Sequence, residues 1–244
     1  MKAVQSLEAI ASGLASVFIP RTCPACGRRL PASGAMVCVA CLLALPRCTT
    51  DVTQSAIVSN GPAPAGLSAS WIQYLHDTES SRLIRAVKYK GRPALGRHLG
   101  RLFAAELLER RERARQCGPD LPPLPQVLIP VPLHWTKRLE RGFNQSEQIA
   151  EGMAEVLGCT VDCGLRATRS HGTQTRRKAE ERAANVRSIF VWRGGDSIDG
   201  LDAAIVDDII TTGATARECV LALGLGGARP STIGLLSLGL AGEQ

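Results

Sequence analysis

At 244 residues, 45% of them hydrophobic and 21% charged, the chain has a globular balance, with material for one main core and a small appendage. The formal net charge of +7 favours a polyanionic partner (nucleic acid, a phosphorylated metabolite or an anionic membrane surface) without choosing among them. No stretch approaches the roughly 20 apolar residues that cross a bilayer, so no membrane span is expected and the cytoplasm is the default compartment.

The first twenty residues, MKAVQSLEAIASGLASVFIP, do not read as a signal peptide, because Glu8 and several serines break the apolar stretch. Leu7, Ile10, Leu14 and Phe18 at helical spacing predict a short amphipathic helix that ends before Pro20. Cysteines follow. The chain has nine, and four of them form CPACGRRLPASGAMVCVAC, in which Cys23 and Cys26 make one CxxC and Cys38 and Cys41 another. Paired knuckles of this kind suit a closed, tetrahedral zinc site of structural type, since each turn points two thiolates at one centre. Two disulfides would need an oxidising compartment, and a redox motif would show a single CxxC beside a strand and helix. Cys48 has no CxxC partner, and Cys117, Cys159, Cys163 and Cys219 read as small buried hydrophobes. The expected organisation is a helix and zinc knuckle over residues 1–50, a Ser/Thr/Pro/Ala/Gly-rich linker over 51–70 and a main domain over 71–244.

In the main domain, SSRLIRAVKYKGR predicts a helix and a turn. A long helix follows, with Leu95, Leu99, Leu102, Phe103, Leu107 and Leu108 on one face, before QCGPDLPPLP breaks the pattern. VLIPVP (127–132) reads as a buried strand. After a basic loop, Asn144 caps a helix with Glu147 three residues on and Ile149, Met153 and Leu157 on its buried face. VRSIFVW, AAIV and STIGLLSLGL add strands, and RECVLALG is a helix ending at Gly224.

At the end of AAIV stand two acids, Asp207 and Asp208, followed by IITTGAT and a helix. Ligands of open α/β sheets gather outside the carboxyl ends of strands. Gly213 allows close backbone approach, N–H groups near a helix start converge on an anion, and Thr211, Thr212 and Thr215 add hydroxyl donors. The turn lacks the GK[ST] of a P-loop and the GxGxxG of a dinucleotide fold. Acids beside a phosphate cradle make sense if the ligand also presents hydroxyls or a divalent metal, as a sugar phosphate does.

AAIVDDIITTGAT resembles the phosphoribosyl-pyrophosphate signature of type I phosphoribosyltransferases over all its positions, from Ala203 to Thr215. FIPRTCPACG, LIRAVKYKGR, IPVPLHWTKRLERGFNQSEQIA and QTRRKAEERAANVRSIF extend the resemblance to the ComF (competence protein F) family of phosphoribosyltransferase-like proteins. That resemblance implies an α/β fold with a parallel sheet, flanking helices and a flexible hood loop, joined to the small N-terminal zinc knuckle with its four cysteines. It implies that Asp207 and Asp208 contact ribose hydroxyls with Mg2+ nearby, and that Thr211, Thr212, Gly213, Ala214 and Thr215 cradle the 5'-phosphate. Arg138 and Arg141 become candidates for the pyrophosphate loop, Gln174 and Arg182 for the flexible loop, and Lys88 with Arg92 for the pocket rim. His134 and His171 fall in the same two loops, where a packing or exposed role is expected.

Two departures stand out. Cys48 is alone where family members often carry a further cysteine cluster, and the flexible loop reads QTRRK where the family commonly reads QTGLS. Two functions follow from the resemblance: transfer of a phosphoribosyl group to an unknown acceptor, or a non-enzymatic, ligand-sensing accessory that binds single-stranded DNA in DNA uptake or transformation, alongside uptake or recombination proteins.

Overall fold

The computed structural model describes residues 21–31, 34–45, 67–75, 78–89, 92–116, 122–168 and 189–240. The expected N-terminal helix, Cys48, Cys117 and the loop with His171, Gln174, Arg176 to Lys178 and Arg182 lie outside them.

Five strands form one parallel sheet. They are β1 (Leu67–Leu75), β2 (Val127–Pro130), β3 (Thr160–Val161), β6 (Asp202–Ile210) and β7 (Thr232–Leu240), in spatial order β1-β7-β6-β2-β3. The apolar runs in β2, β6 and β7 exist because both faces of the sheet are covered, as parallel sheets require. On one face, Leu128, Ala204, Val206, Leu236 and Leu238 pack with helices α2 (Thr78–Tyr89), α3 (Pro93–Gln116) and α5 (Gln145–Leu157). On the other, Ile129, Ala203, Ile205 and Leu235 pack with α6 (Ala214–Leu225) and a two-stranded antiparallel sheet of β4 (Leu165–Ala167) and β5 (Phe190–Trp192).

The order of strands fixes where a ligand can enter. From β2 the chain passes through α4 (Trp135–Arg141) and α5 to β3 on one side; from β6 it passes through α6 to β7 on the other. Neighbouring strands whose connections leave in opposite directions open a crevice at their carboxyl ends, here between Pro130 of β2 and the paired Val206 of β6. Asp207 is the next residue.

Helix α5 is seated by backbone contact with α3. A Cβ on Gly152 would lie 2.0 Å from the carbonyl oxygen of Arg97, and one on Gly100 would lie 2.2 Å from that of Ile149, so neither position tolerates a side chain without moving a helix. Beside this crossing, Arg97 and Arg101 both reach Glu155, and Arg97 reaches Glu151 at 3.3 Å. The knuckle joins the same layer: Cys23, Leu30, Val37, Cys41 and Leu45 are buried in one cluster with α3 and α5, and α1 (Val39–Ala44) carries the last cysteine.

Several elements differ from the sequence expectation. Strand β6 does not stop at AAIV: it runs through Asp207 and Asp208 to Ile210, paired with β7 throughout, so the two acids lie within the strand and the loop begins at Thr211. The segment read as a basic loop holds α4. Strand β1 begins at Leu67, within the stretch read as linker, because it pairs with β7 from Ile233 to Leu240, with a register shift between Leu67 and Ala69. Of VRSIFVW, the described residues hold a strand over Phe190–Trp192; it pairs with β4 and stays out of the parallel sheet, burying Phe190 and Trp192 over α6. Helix α6 continues through Gly224 to Leu225, where the Gly226 N–H bonds back to the Ala222 and Gly224 carbonyls. Among the described residues no helix is long and apolar enough to cross a membrane.

Candidate functional site

Alternation along β6 sends Asp208 to the same face as Ala204 and Val206, toward α2, and leaves Asp207 half-buried on the other, just past the point where pairing with β2 ends. Asp208 is 5% exposed, and its Oδ2 lies 2.9 Å from Nζ of Lys88 on the last turn of α2. Asp207 accepts the Asp208 backbone N–H at 2.8 Å and the Ser146 hydroxyl at 3.4 Å, both on Oδ1. Burial pushes the Asp207 carboxyl up and the Asp208 charge pushes the same way; the Asp208 N–H, Lys88 and Ser146 offset this only in part, leaving it at about 7.

The turn after β6 is open. Thr211 and Thr212 are exposed, and Gly213 sits in the left-handed region at φ 70° as the residue before α6. With no side chain of its own, Gly213 makes no cap bond, and the Ala214 N–H meets Thr212 Oγ1 at 3.4 Å. The helix start therefore presents N–H groups and hydroxyls beyond the carboxyl end of β6, the strand that carries Asp207.

The opposite wall comes from the segment after β2. Asn144 is buried, caps α5 by accepting the Ser146 N–H at 3.2 Å, and donates Nδ2 to the Val131 carbonyl at 3.0 Å. One side chain thus fixes the loop leaving β2 to the helix that carries Ser146. Gln145, between them, is also buried, and its Oε1 has no hydrogen-bond partner. Sequence reasoning gave Ser146 no role; its place two residues beyond a helix cap was the available signal.

Other candidates fall around this crevice without all converging. Arg138 on α4 is half-exposed and pairs with Glu147 of α5 at 3.4 Å, and Arg141 closes α4. Lys88 is drawn inward to Asp208, while Arg92 is exposed ahead of α3. His134 takes a packing role: its Nδ1 is 2.8 Å from Thr136 Oγ1 at the start of α4, and its ring lies 5.6 Å from that of Trp135. A cavity of about 200 Å³ opens between Pro130, Trp135, Arg138, Asn144, Leu165 and Arg166.

In the knuckle, the four sulfurs of Cys23, Cys26, Cys38 and Cys41 lie within 4.8 Å of one another, with Cys26 and Cys38 3.7 Å apart. A tetrahedral zinc with sulfur at about 2.3 Å implies sulfur pairs about 3.8 Å apart, so donor set and spacing suit such an ion. Burial acts to raise the Cys23 thiol, but backbone N–H groups of Cys38, Cys26 and Ala25 outweigh it and hold it at about 6. Cys41 is pushed well up by burial and by the three neighbouring sulfurs. Of the remaining cysteines, Cys219 is fully buried and Cys159 and Cys163 are partly exposed; among the described residues they join no second metal cluster.

No protein-family model matches the chain. It is 34% identical to the DNA utilization protein YhgH of Salmonella typhi over 139 residues, 57% of this chain and 58% of that protein. It is 27% identical to competence protein F of Haemophilus influenzae over 140 residues, again 57% of this chain and 58% of that protein. The chain resembles competence protein F over a little more than half of each. A third relative, competence protein ComFC of Bacillus subtilis, is 33% identical over 101 residues, 40% of this chain and 39% of that protein. The chain thus spans 58% of the length of the first relatives it matches. Among solved structures it is similar to an allosteric regulatory enzyme of purine biosynthesis, with 22% identity, a TM-score of 0.39, and coverage of 58% of this chain and 25% of that one. It is also similar to the glutamine phosphoribosylpyrophosphate amidotransferase of B. subtilis, with 20% identity, a TM-score of 0.41, and coverage of 63% and 30%.

Proposed function

We propose that this chain binds phosphoribosyl pyrophosphate, with Mg2+, in the crevice between β2 and β6. The observation that carries the reading is the pairing of Asp207 with a glycine-opened helix start at the point where the sheet connections diverge. Asp207 accepts hydrogen bonds from the ribose hydroxyls, with Asp208 braced behind it by Lys88. Thr211, Thr212, Gly213, Ala214 and Thr215 take the 5'-phosphate through backbone N–H groups and hydroxyls. Arg138 and Arg141 stand on the side of the pyrophosphate, where Arg138 would exchange Glu147 for a ligand oxygen. The carboxylate oxygens and the ligand's own phosphates suit Mg2+, which when bound neutralises charge on the pyrophosphate.

Transfer to a nitrogen nucleophile would form an N–C1' bond as the C1'–O bond breaks, with pyrophosphate leaving with the electron pair. The cavity beside Trp135 and Arg166 gives an acceptor room on the β2 side of the crevice. Titration of the full chain with phosphoribosyl pyrophosphate and Mg2+ should give saturable binding that the double variant Asp207→Asn, Asp208→Asn loses. Consumption of labelled ligand with an acceptor should vanish in the same variant, and turnover persisting there overturns the assignment.

The four knuckle cysteines are proposed to hold one structural zinc, consistent with a reducing, cytoplasmic setting. A second reading, binding of single-stranded DNA as an accessory of DNA uptake or recombination, draws support from one surface feature and from the names of the relatives. Trp135 is 64% exposed on α4, beside Lys137 and Arg138, an arrangement of ring and cations that stacks bases and meets phosphates. That reading requires affinity for single-stranded DNA that falls steeply with salt and drops further in Trp135→Ala; a flat salt response sinks it.

A further inference from the structure

We propose that Lys88 is a built-in counter-cation for the Asp207–Asp208 pair, keeping free divalent metal off the acids so that metal enters this site only on a ligand that brings its own phosphates. This rests on the reading of the crevice as a sugar-phosphate site and adds how that site treats metal.

Two aspartates in succession near the carboxyl end of a strand would ordinarily attract a hard divalent cation, which takes carboxylate oxygens at short range. Here the strand's alternation separates them. Asp208 turns inward, is 5% exposed, and has its Oδ2 2.9 Å from the Lys88 ammonium. That oxygen has no hydrogen-bond donor besides this ion pair, so its charge is met by Lys88. Removing Lys88 would leave a buried, uncompensated carboxylate, a costly state that binding a cation relieves.

Lys88 is itself held in place. It is on the last turn of α2, whose Leu83, Ile84, Ala86 and Val87 are buried against the sheet and α3, and its side chain is 20% exposed. The helix thus sets the Lys88 backbone within ion-pair reach of Asp208, and the four-carbon stem carries the ammonium the rest of the way. With Asp208 Oδ2 engaged, the half-buried Asp207 is left to offer an oxygen to the crevice, and its Oδ1 already accepts from the Asp208 N–H and from Ser146. One partly used carboxylate beside a fixed positive charge is a poor site for a bare Mg2+ or Mn2+. It remains a good acceptor for hydroxyls. A ligand carrying phosphates supplies the missing oxygens, and the metal then arrives already coordinated.

The test is Mn2+ binding to the ligand-free full chain, followed by electron paramagnetic resonance of the free ion. Wild type should show no Mn2+ site that depends on Asp207 or Asp208. Lys88→Met should gain one, at least about tenfold tighter than any wild-type binding; adding Asp208→Asn should abolish it, and Lys88→Arg should keep the wild-type exclusion. A purely structural role for Lys88 would change melting without creating a metal site. If Lys88→Met fails to fold, wild type still decides: Mn2+ bound to the free chain and lost in Asp207→Asn overturns the proposal, as does a folded Lys88→Met that gains no site. No phosphoribosyl pyrophosphate is present in these arms. Failure here therefore leaves the ligand reading standing, and failure of ligand binding leaves the metal result standing.

Discussion

The knuckle and the tip of β6 each crowd anionic groups into a few ångströms, and they resolve the crowding in opposite ways. In the knuckle, Cys23, Cys26, Cys38 and Cys41 place four sulfurs within 4.8 Å, with backbone N–H groups favouring the thiolate at Cys23 and the other sulfurs opposing it at Cys41. A metal ion at the centre of such a set would balance it. At the strand tip the balance is internal: Lys88 meets Asp208, while Ser146 and a backbone N–H meet Asp207. The difference predicts which region depends on metal to fold and which depends on the protein's own side chains.

The largest effect should come from breaking the knuckle. Its buried apolar residues besides the cysteines, Ala25, Leu30, Val37 and Leu45, are too few to order the knuckle alone. Structural zinc contributes on the order of 10 kcal/mol in small metal-dependent folds. Metal analysis should find about one zinc per chain, and strong chelation or Cys41→Ser should make this segment protease-sensitive while the parallel sheet keeps its far-ultraviolet dichroism. A chain that is metal-free and protease-resistant over the knuckle would erase the contrast with the strand tip.

The same contrast shows what could be read from sequence. The knuckle spacing, the apolar runs of β2, β6 and β7, and the Asn144 cap are local patterns, and each is present in the structure as expected. Strand β1 was hidden because LSASWIQYL has serines at alternate positions and follows a Pro/Ala/Gly-rich stretch; only pairing with β7 reveals it. Strands β3 and β4, of two and three residues, are shorter than any periodicity can register. The acids and the Thr/Gly turn could be located along the chain, but the partner of Lys88 could not. Lys88 and Asp208 are distant in sequence and meet only because α2 ends over the carboxyl end of β6. The same holds for Ser146, whose motif was visible and whose contact with Asp207 was not.

A smaller effect separates the two acids. Asp207 has its carboxyl raised to about 7 in the folded protein by burial and by Asp208, whereas an unfolded aspartate ionises near about 4. Below the unfolded value both states hold the proton and the contribution to stability is complete. As pH rises toward 7 the unfolded chain releases the proton that the folded chain keeps, so the contribution is lost across that window. Denaturant midpoints should therefore fall between about pH 4 and about pH 7 in wild type, and fall less in Asp207→Asn. An equal fall in both would show that Asp207 does not carry this pH dependence and that its surroundings are better balanced than the geometry indicates.

The finest test concerns Ser146, the weakest of the internal compensations. Its hydroxyl donates to Asp207 Oδ1 at 3.4 Å, a long hydrogen bond whose value depends on the charge of the acceptor. At pH 5 Asp207 is mainly protonated and gains little from the donor; at pH 8 it is ionised and gains more. Ser146→Ala should therefore match wild-type stability at pH 5 and lose about 0.5 kcal/mol at pH 8, with the Asp207 carboxyl moved further up. Seating of α5 is independent of this hydroxyl, because Asn144 caps the helix through the Ser146 backbone N–H and the α3–α5 crossing is made at Gly100 and Gly152. A loss of equal size at both pH values would mean that Ser146 acts through packing of α5, and the strand tip would then rely on Lys88 and the Asp208 N–H alone.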